Sequence, residues 1–154
     1  MEALVAFGLA CNVMQVIGFV KDGIQVSKAI YETGCLDPHL AQTTNYLTES
    51  LETLRSSLSR VSPLRKEDQE LLEIAKGSLD TATQLKAELE KISGTMTKGK
   101  HSAAFRGWFS AAFGGKKRIE KLEKAMRDQQ HVLETRLLIR IWYTLIHHCS
   151  VKSD

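Results

Sequence analysis

Acidic and histidine side chains form two groups in this sequence that could serve as metal ligands or as general acids and bases. The first group is Glu67, Asp68, Glu70 and Glu73, and the second is Asp128, His131 and Glu134. Residues three apart share one face of a helix. A di-metal carboxylate site, however, needs a second such set on another helix. The first group is expected on a solvated helix face, and the second group has no such partner set. Neither group therefore predicts a catalytic or metal site.

The remaining motifs with possible chemistry are incomplete. Gly114-Gly115-Lys116-Lys117 lacks the upstream glycine and the Ser or Thr of a phosphate-binding loop. His147, His148 and Cys149 are adjacent, and neighbouring helical side chains point about 100° apart. HExxH, GxSxG and paired CxxC patterns do not occur. The sequence therefore predicts no enzyme activity, no cofactor, no metal and no small-molecule substrate.

Composition indicates one soluble-type helical domain in a reducing compartment. The chain has 154 residues, 43% hydrophobic and 25% charged, with two prolines, which fits a single domain, 1–154. Its three cysteines, Cys11, Cys35 and Cys149, are odd in number and widely spaced. That argues against a disulfide framework and for the cytoplasm. A net charge of +3 is too small to indicate a nucleic-acid partner.

Apolar residues recur at three- and four-residue intervals along four long segments, which is the spacing of bundle helices. Gly34 and Gly94 are expected helix ends, and Asp37-Pro38 is an expected helix start. The predicted helices are 3–33, 38–61, 65–93, 103–113 and 116–148. The predicted fold is all-α: an antiparallel four-helix-type bundle with a short extra aromatic helix before the last long helix.

The first predicted helix begins with a run that carries no charge from Ala3 to Val20. A secretory signal would need an early positive charge, and the only early side-chain charge is Glu2. A permanent membrane span is not favoured, because the run is at the short limit of about 18 residues and polar or glycine residues interrupt it. Two interpretations remain open: a fully buried central helix, or a helix that can exchange the bundle for a bilayer.

Around that first helix, the less apolar residues fall on one narrow stripe at 100° per residue. The stripe consists of Gly8, Asn12, Gln15 and Asp22. It could face a water-filled lumen in an oligomer, or it could pack against polar atoms within the bundle. Both interpretations stay open at this point.

Charge is concentrated between Glu90 and Glu120, where seven basic residues and no acidic residue occur. Aromatic residues lie within the same region, including Trp108. Basic side chains beside Trp and Phe are typical of contact with an anionic membrane surface. The alternative is a solvated loop with its aromatic residues in the core. Nucleic acid is not expected, because no DNA- or RNA-binding motif is present.

Four stretches of the chain together resemble a known family. They are MEALVAFGLACNVMQVIGF, GCLDPHLAQTTNYLTESLETL, FRGWFSAAF and GGKKRIEKLEKAMRDQQHVLETRLL. This combination resembles the N-terminal HeLo-like domain of fungal NLR-like (STAND) proteins, over nearly the whole chain. The resemblance implies a helical bundle that acts in regulated cell death and fungal immunity.

In the family the N-terminal helix is thought to enter the membrane after oligomerisation, so the resemblance implies specific roles here. It implies relocation from the cytoplasm to the plasma membrane, with anionic lipids, further copies of the chain and an upstream NLR-like receptor domain as partners. The residues expected to insert are Leu4, Val5, Phe7, Leu9, Val13, Met14, Val16, Ile17, Phe19 and Val20. The residues expected to contact lipid headgroups are Lys98, Lys100, Arg106, Trp108, Lys116, Lys117 and Arg118.

Two alternative functions do not require a bilayer. One is a soluble homotypic-interaction or adaptor module. The other is a regulatory bundle that holds an NLR-like receptor inactive. Both alternatives predict that the first helix stays within the bundle.

Overall fold

The computed structural model describes residues 3–62, 66–98 and 114–151, and within these ranges every regular element is an α-helix. The predicted all-α class is therefore confirmed for the described part of the chain. The predicted aromatic helix 103–113 lies outside the described residues. The four helices are α1 (Ala3–Thr33), α2 (Leu40–Ser59), α3 (Lys66–Lys98) and α4 (Gly115–Val151).

Glycine ends α1 as predicted but does not end α3. Gly34 adopts a left-handed φ of 66°, and its N–H donates to the Ile30 carbonyl over 2.8 Å. A residue with a side chain rarely adopts that backbone conformation. Helix α3 instead continues beyond Gly94 to Lys98. Its additional turn carries Met96, which packs against the core, so apolar contact outweighs the weak helix propensity of glycine.

The predicted start of α2 at Pro38 is two residues too early. The Asp37 carboxylate accepts a hydrogen bond from the His39 N–H over 2.8 Å, and the Asp37 carbonyl accepts one from the Leu40 N–H over 3.1 Å. These bonds form a turn that side chains of this type favour. The helix therefore begins at Leu40, and Asp37 forms the turn before it.

Contacts between side chains show that α1 runs antiparallel to both α2 and α4. Asn12 near the start of α1 contacts Ser57 near the end of α2, and Lys28 near the end of α1 contacts Glu123 near the start of α4. Helices α1 and α3 each contact all three of the others, whereas α2 and α4 have little or no contact with each other. Helices α1 and α3 thus form the centre of the bundle, with α2 and α4 on opposite sides.

The core draws buried apolar side chains from all four helices. On α3, residues at three- and four-residue spacing are buried, including the small residues Ala75, Ser78 and Ala82. At Gly23 on α1, an added Cβ would come within 2.9 Å of Leu85, so α1 and α3 approach closely there. The largest enclosed side chains are Leu9, Ile17, Ile30, Leu47, Leu54, Leu85, Leu89, Ile92, Ile119, Met126 and Leu133.

Asp68 contradicts the predicted solvated face. Asp68 is fully buried. Its carboxylate accepts a hydrogen bond from Arg140 of α4 over 3.1 Å. Burial acts to raise the pKa of this carboxyl, but hydrogen bonding and positive charge, including those of Arg140, outweigh burial and hold the pKa below its usual value. Glu70, two residues later, pairs with Arg136 over 3.0 Å and is one-third exposed.

Replacing Arg140 with Gln should destabilise the bundle at neutral pH by about 1–3 kcal/mol, because a buried carboxylate loses a charged partner. A lowered pKa contributes stability that is present above the unfolded-state value and lost as pH falls through the folded-state value. The difference in free energy of unfolding between wild type and variant should therefore become smaller as the pH is lowered from about 7 to about 3. Urea unfolding at the two pH values measures it.

Arg136→Gln is the matched control, because its partner Glu70 retains contact with water and such pairs contribute little. An Arg140 variant as stable as the Arg136 variant at neutral pH would contradict the assignment. A difference that persisted unchanged in acid would contradict it as well.

Candidate functional site

The uncharged half of α1 is enclosed on one side and open on the other. Of the residues predicted to insert, five are core side chains: Leu9, Val13, Val16, Ile17 and Val20. Three others reach solvent, with Phe7 66%, Val5 42% and Met14 38% exposed. Phe19 is partly buried and stacks on Tyr46 with ring centroids 5.5 Å apart. The side chain of Leu4 lies outside the described residues.

The predicted polar stripe of α1 divides in a similar way. Gly8, Gln15 and Asp22 are exposed. Asn12 is half-buried, and its amide donates a hydrogen bond to the Ser57 hydroxyl of α2 over 2.7 Å. One member therefore fastens α1 to α2, and the other three remain in contact with solvent.

Among the described residues, one helix is long and apolar enough to cross a membrane. This candidate span is Val5–Thr33, and 39% of its most apolar window is buried in the bundle. Core helices of soluble proteins meet the same criteria of length and composition. Less than half of this window is buried, although α1 contacts all three of the other helices.

A second exposed apolar surface lies on α4. Leu138 is 68% and Trp142 is 64% exposed, and Val132 and Ile139 are also open to solvent on the same outward side. The sequence analysis did not identify this surface. The signal was available, because the segment from Leu137 to Trp142 is apolar at all but one position and therefore cannot bury every side chain on one face.

The most exposed apolar residue of α1, Phe7, lies at the same end of the bundle as Trp142 of α4. Lys28 and Glu123 are in contact and fix the relative height of the two antiparallel helices. Phe7 lies 21 residues before Lys28, and Trp142 lies 19 residues after Glu123. At 1.5 Å per residue each is about 30 Å from that contact, in the same direction. We call this the apolar end.

The described part of the predicted basic patch lies at the opposite end. Lys116 and Lys117 are exposed at the start of α4, and Lys116 is 26 residues from Trp142, which is about 40 Å along a helix. The backbone of Lys98 ends α3, but its side chain lies outside the described residues. Lys100, Arg106 and Trp108 lie outside them entirely.

Arg118, the third described member of the basic patch, has a structural partner. Its guanidinium contacts both carboxylate oxygens of Glu88, over 3.0 Å and 3.2 Å. Glu88 is nearly buried and also pairs with Lys91 over 3.1 Å. Burial, and then the negative charge of Glu88, raise the pKa of the neighbouring Tyr31 phenol, while Arg118 acts in the opposite direction. Arg118 thus holds α4 against α3, while 45% of its side chain remains exposed.

A smaller ion-pair network joins the last part of α1 to the first part of α4. Lys28 Nζ donates to Glu123 over 2.7 Å, and Arg127 contacts the same carboxylate over 3.4 Å. The hydrogen bond from Lys28 lowers the pKa of Glu123, although burial acts to raise it. With about a third of each partner exposed, such a pair stabilises the fold by roughly 0.2–1 kcal/mol.

The candidate metal ligands that lie within the described part of the chain are not brought together. Asp128, His131 and Glu134 are exposed on α4, and Glu134 accepts a hydrogen bond from Gln130. The side chains of His147, His148 and Cys149 lie outside the described residues. Within the described ranges, no group of three or more His, Cys, Asp or Glu side chains is placed to hold a metal ion.

Comparison with known proteins gives no relative: no family model, no curated protein and no solved structure matches the chain.

Proposed function

We propose that this chain is a membrane-permeabilising effector domain of regulated cell death, of the HeLo-like kind. It acts as an oligomer after α1 leaves the bundle and enters a bilayer. The observation that carries the proposal is the outward face of α1, where Phe7 is 66% exposed on a helix half without charge. Lipid removes such a surface from water as effectively as a protein core does.

Few directional bonds hold the uncharged half of α1 in the bundle, and this favours its release. The Asn12–Ser57 hydrogen bond is the only side-chain hydrogen bond from residues 5–20 to another helix in the described part of the chain. The remaining attachment is burial of apolar side chains such as Val13 and Val16. Apolar burial is non-directional, so a bilayer or neighbouring copies can replace it.

The exposed face of α4 also supports membrane contact at the apolar end. Leu138, Ile139 and Trp142 lie at the apolar end together with Phe7. Trp is favoured at the boundary between hydrocarbon and headgroups, because its ring is apolar and its N–H needs a polar partner. We propose that the apolar end meets the plasma membrane first, from the cytoplasm, and that α1 then inserts.

Attraction to anionic lipids involves the other end of the bundle in this proposal. Lys116 and Lys117 are exposed there, and each can contribute about 1 kcal/mol at an anionic surface. Because the two ends are about 40 Å apart, headgroup attraction and insertion are separate contacts. Arg118 contributes less, since it is paired with Glu88.

Tethering α1 to α2 should abolish permeabilisation. In a Cys11→Ser, Cys35→Ser, Cys149→Ser background, Asn12→Cys and Ser57→Cys can be joined by the shortest bis-methanethiosulfonate reagent, because the native side chains touch. We expect the tethered full chain to leave anionic vesicles sealed, and reductant to restore dye release. The measurement is release of a trapped dye before and after reduction.

A matched tether joins helices that are not expected to separate. Arg55 of α2 and Thr83 of α3 are in side-chain contact over 3.5 Å, so Arg55→Cys with Thr83→Cys gives a control that should release dye normally. Dye release by the Asn12–Ser57 tethered protein at the untethered rate would contradict the helix-release mechanism.

A second function is supported by the outward face of α4. Exposed Leu138 and Trp142 are of the residue types that also form interfaces between soluble proteins. The chain would then be a homotypic-interaction or adaptor module linked to an NLR-like receptor domain. An untethered protein that never releases dye and never binds vesicles would favour this function.

A further inference from the structure

A groove between the second half of α1 and the first half of α4 gathers positive charge. Its volume is about 290 Å³. Lys21 and Lys28 line it from α1, and Arg127 lines it from α4. One carboxylate, Glu123, stands among these three cations, so the groove has a net charge of about +2.

The positive charges are not equally satisfied. Lys28 and Arg127 share the Glu123 carboxylate, over 2.7 Å and 3.4 Å. Lys21 is exposed and makes no ion pair with any of the described side chains. A carboxylate that is 30% exposed and serves two cations holds each of them weakly. A ligand with more negative charge than a carboxylate can therefore replace it.

The other lining groups suit an oxyanion. Gln25 and Gln130 line the groove from the two helices, and their amide groups donate hydrogen bonds. Arg127 can donate two parallel hydrogen bonds to a phosphate, and lysines neutralise its remaining charge. The buried side chains of Ile24 and Met126 form an apolar floor, which reduces competition from water.

We propose that this groove is a binding site for a phosphate group, which displaces Glu123 from Lys28 and Arg127 and takes Lys21 as a third cation. The ligand is a phosphomonoester or pyrophosphate, either free or as a lipid headgroup. The site lies apart from Lys116 and Lys117 and goes beyond the proposed membrane activity, so it stands whether or not α1 inserts. Glu123 sets the affinity, because its charge competes with that of the ligand.

The test is a titration of the full chain with inorganic pyrophosphate at constant ionic strength, observed in proton–nitrogen NMR spectra through the side-chain amides of Gln25 and Gln130. Lys21→Gln should weaken binding at least about fivefold, while Glu123→Gln should tighten it about fivefold. Lys124→Gln is the control, because Lys124 is exposed on α4 and carries the same charge but does not line the groove.

Vesicles distinguish the two sources of phosphate. Lys21→Gln should lower co-sedimentation with phosphatidylcholine vesicles that contain phosphatidic acid, relative to Lys124→Gln, if the ligand is a headgroup. A response to pyrophosphate alone identifies a free phosphate ligand, and either response supports the site. The proposal is overturned if neither probe binds, if the Lys21 and Lys124 variants behave alike, or if Glu123→Gln weakens binding. Membrane leakage is not a readout here, so failure of this site leaves the proposed function untouched.

Discussion

Met14→Glu is expected to reduce dye release from anionic vesicles about a hundredfold while leaving the bundle folded. Met14 lies well inside the uncharged run and is 38% exposed, so a glutamate side chain can reach water in the folded state. In the centre of an inserted helix, an acidic side chain costs about 3 kcal/mol relative to an apolar one. That energy corresponds to about a hundredfold in the insertion equilibrium.

Two variants separate the charge at Met14 from other effects. Met14→Gln has nearly the same shape without the charge and should retain most of the activity. Leu36→Glu introduces the same charge at an exposed apolar residue, 54% exposed, between α1 and α2 at the basic end, and should release dye like wild type. Full activity of folded Met14→Glu would show that this face of α1 does not enter lipid, and the insertion proposal would then be wrong.

Val16→Asp is expected to unfold the bundle in a large fraction of molecules, whatever the protein does at membranes. Val16 is fully buried, and the substitution places an unpaired carboxylate in the core. We expect a loss of more than about 4 kcal/mol, which is a large part of a typical total of roughly 5–15 kcal/mol. The melting midpoint should fall by roughly 10 °C or more, as measured by circular dichroism.

Gln15→Asp places the same side chain one position away on the exposed side of α1 and should melt close to wild type. If Val16→Asp melted like Gln15→Asp, the enclosed face of α1 would be wrongly assigned. The pair also decides how activity data are interpreted. Loss of cell killing in a Val16 or Ile17 variant reports an unfolded domain, whereas loss in a Met14 variant reports the exposed face.

Local patterns were sufficient to predict most helices. The glycine at position 34 predicts where α1 ends, and α1 in the structure ends at Thr33. The buried positions of α3 and the first half of α4 follow from three- and four-residue spacing, which depends only on helix geometry. The end of α3 was predicted wrongly, because Met96 gains its stability from distant core residues that the sequence does not place.

The candidate surface was only partly predictable, because exposure depends on which helices are neighbours. Periodicity alone shows that the early part of α1 has an apolar circumference wider than one face requires. It does not show that Phe7 is open and Leu9 enclosed, since that depends on where α2, α3 and α4 pack. Asp68 was missed for the same reason: its partner Arg140 is 72 residues away in sequence.

The packing of α2 and α4 on opposite sides of the central pair has a consequence for assembly. Helix α1 touches every other helix, while α2 and α4 scarcely touch each other. Without α1, the other three helices would form a flat array that exposes core side chains now next to α1, such as Leu85 and Met126. Another copy of the chain can cover these exposed side chains. Release of α1 would therefore itself promote association between the other helices of neighbouring copies.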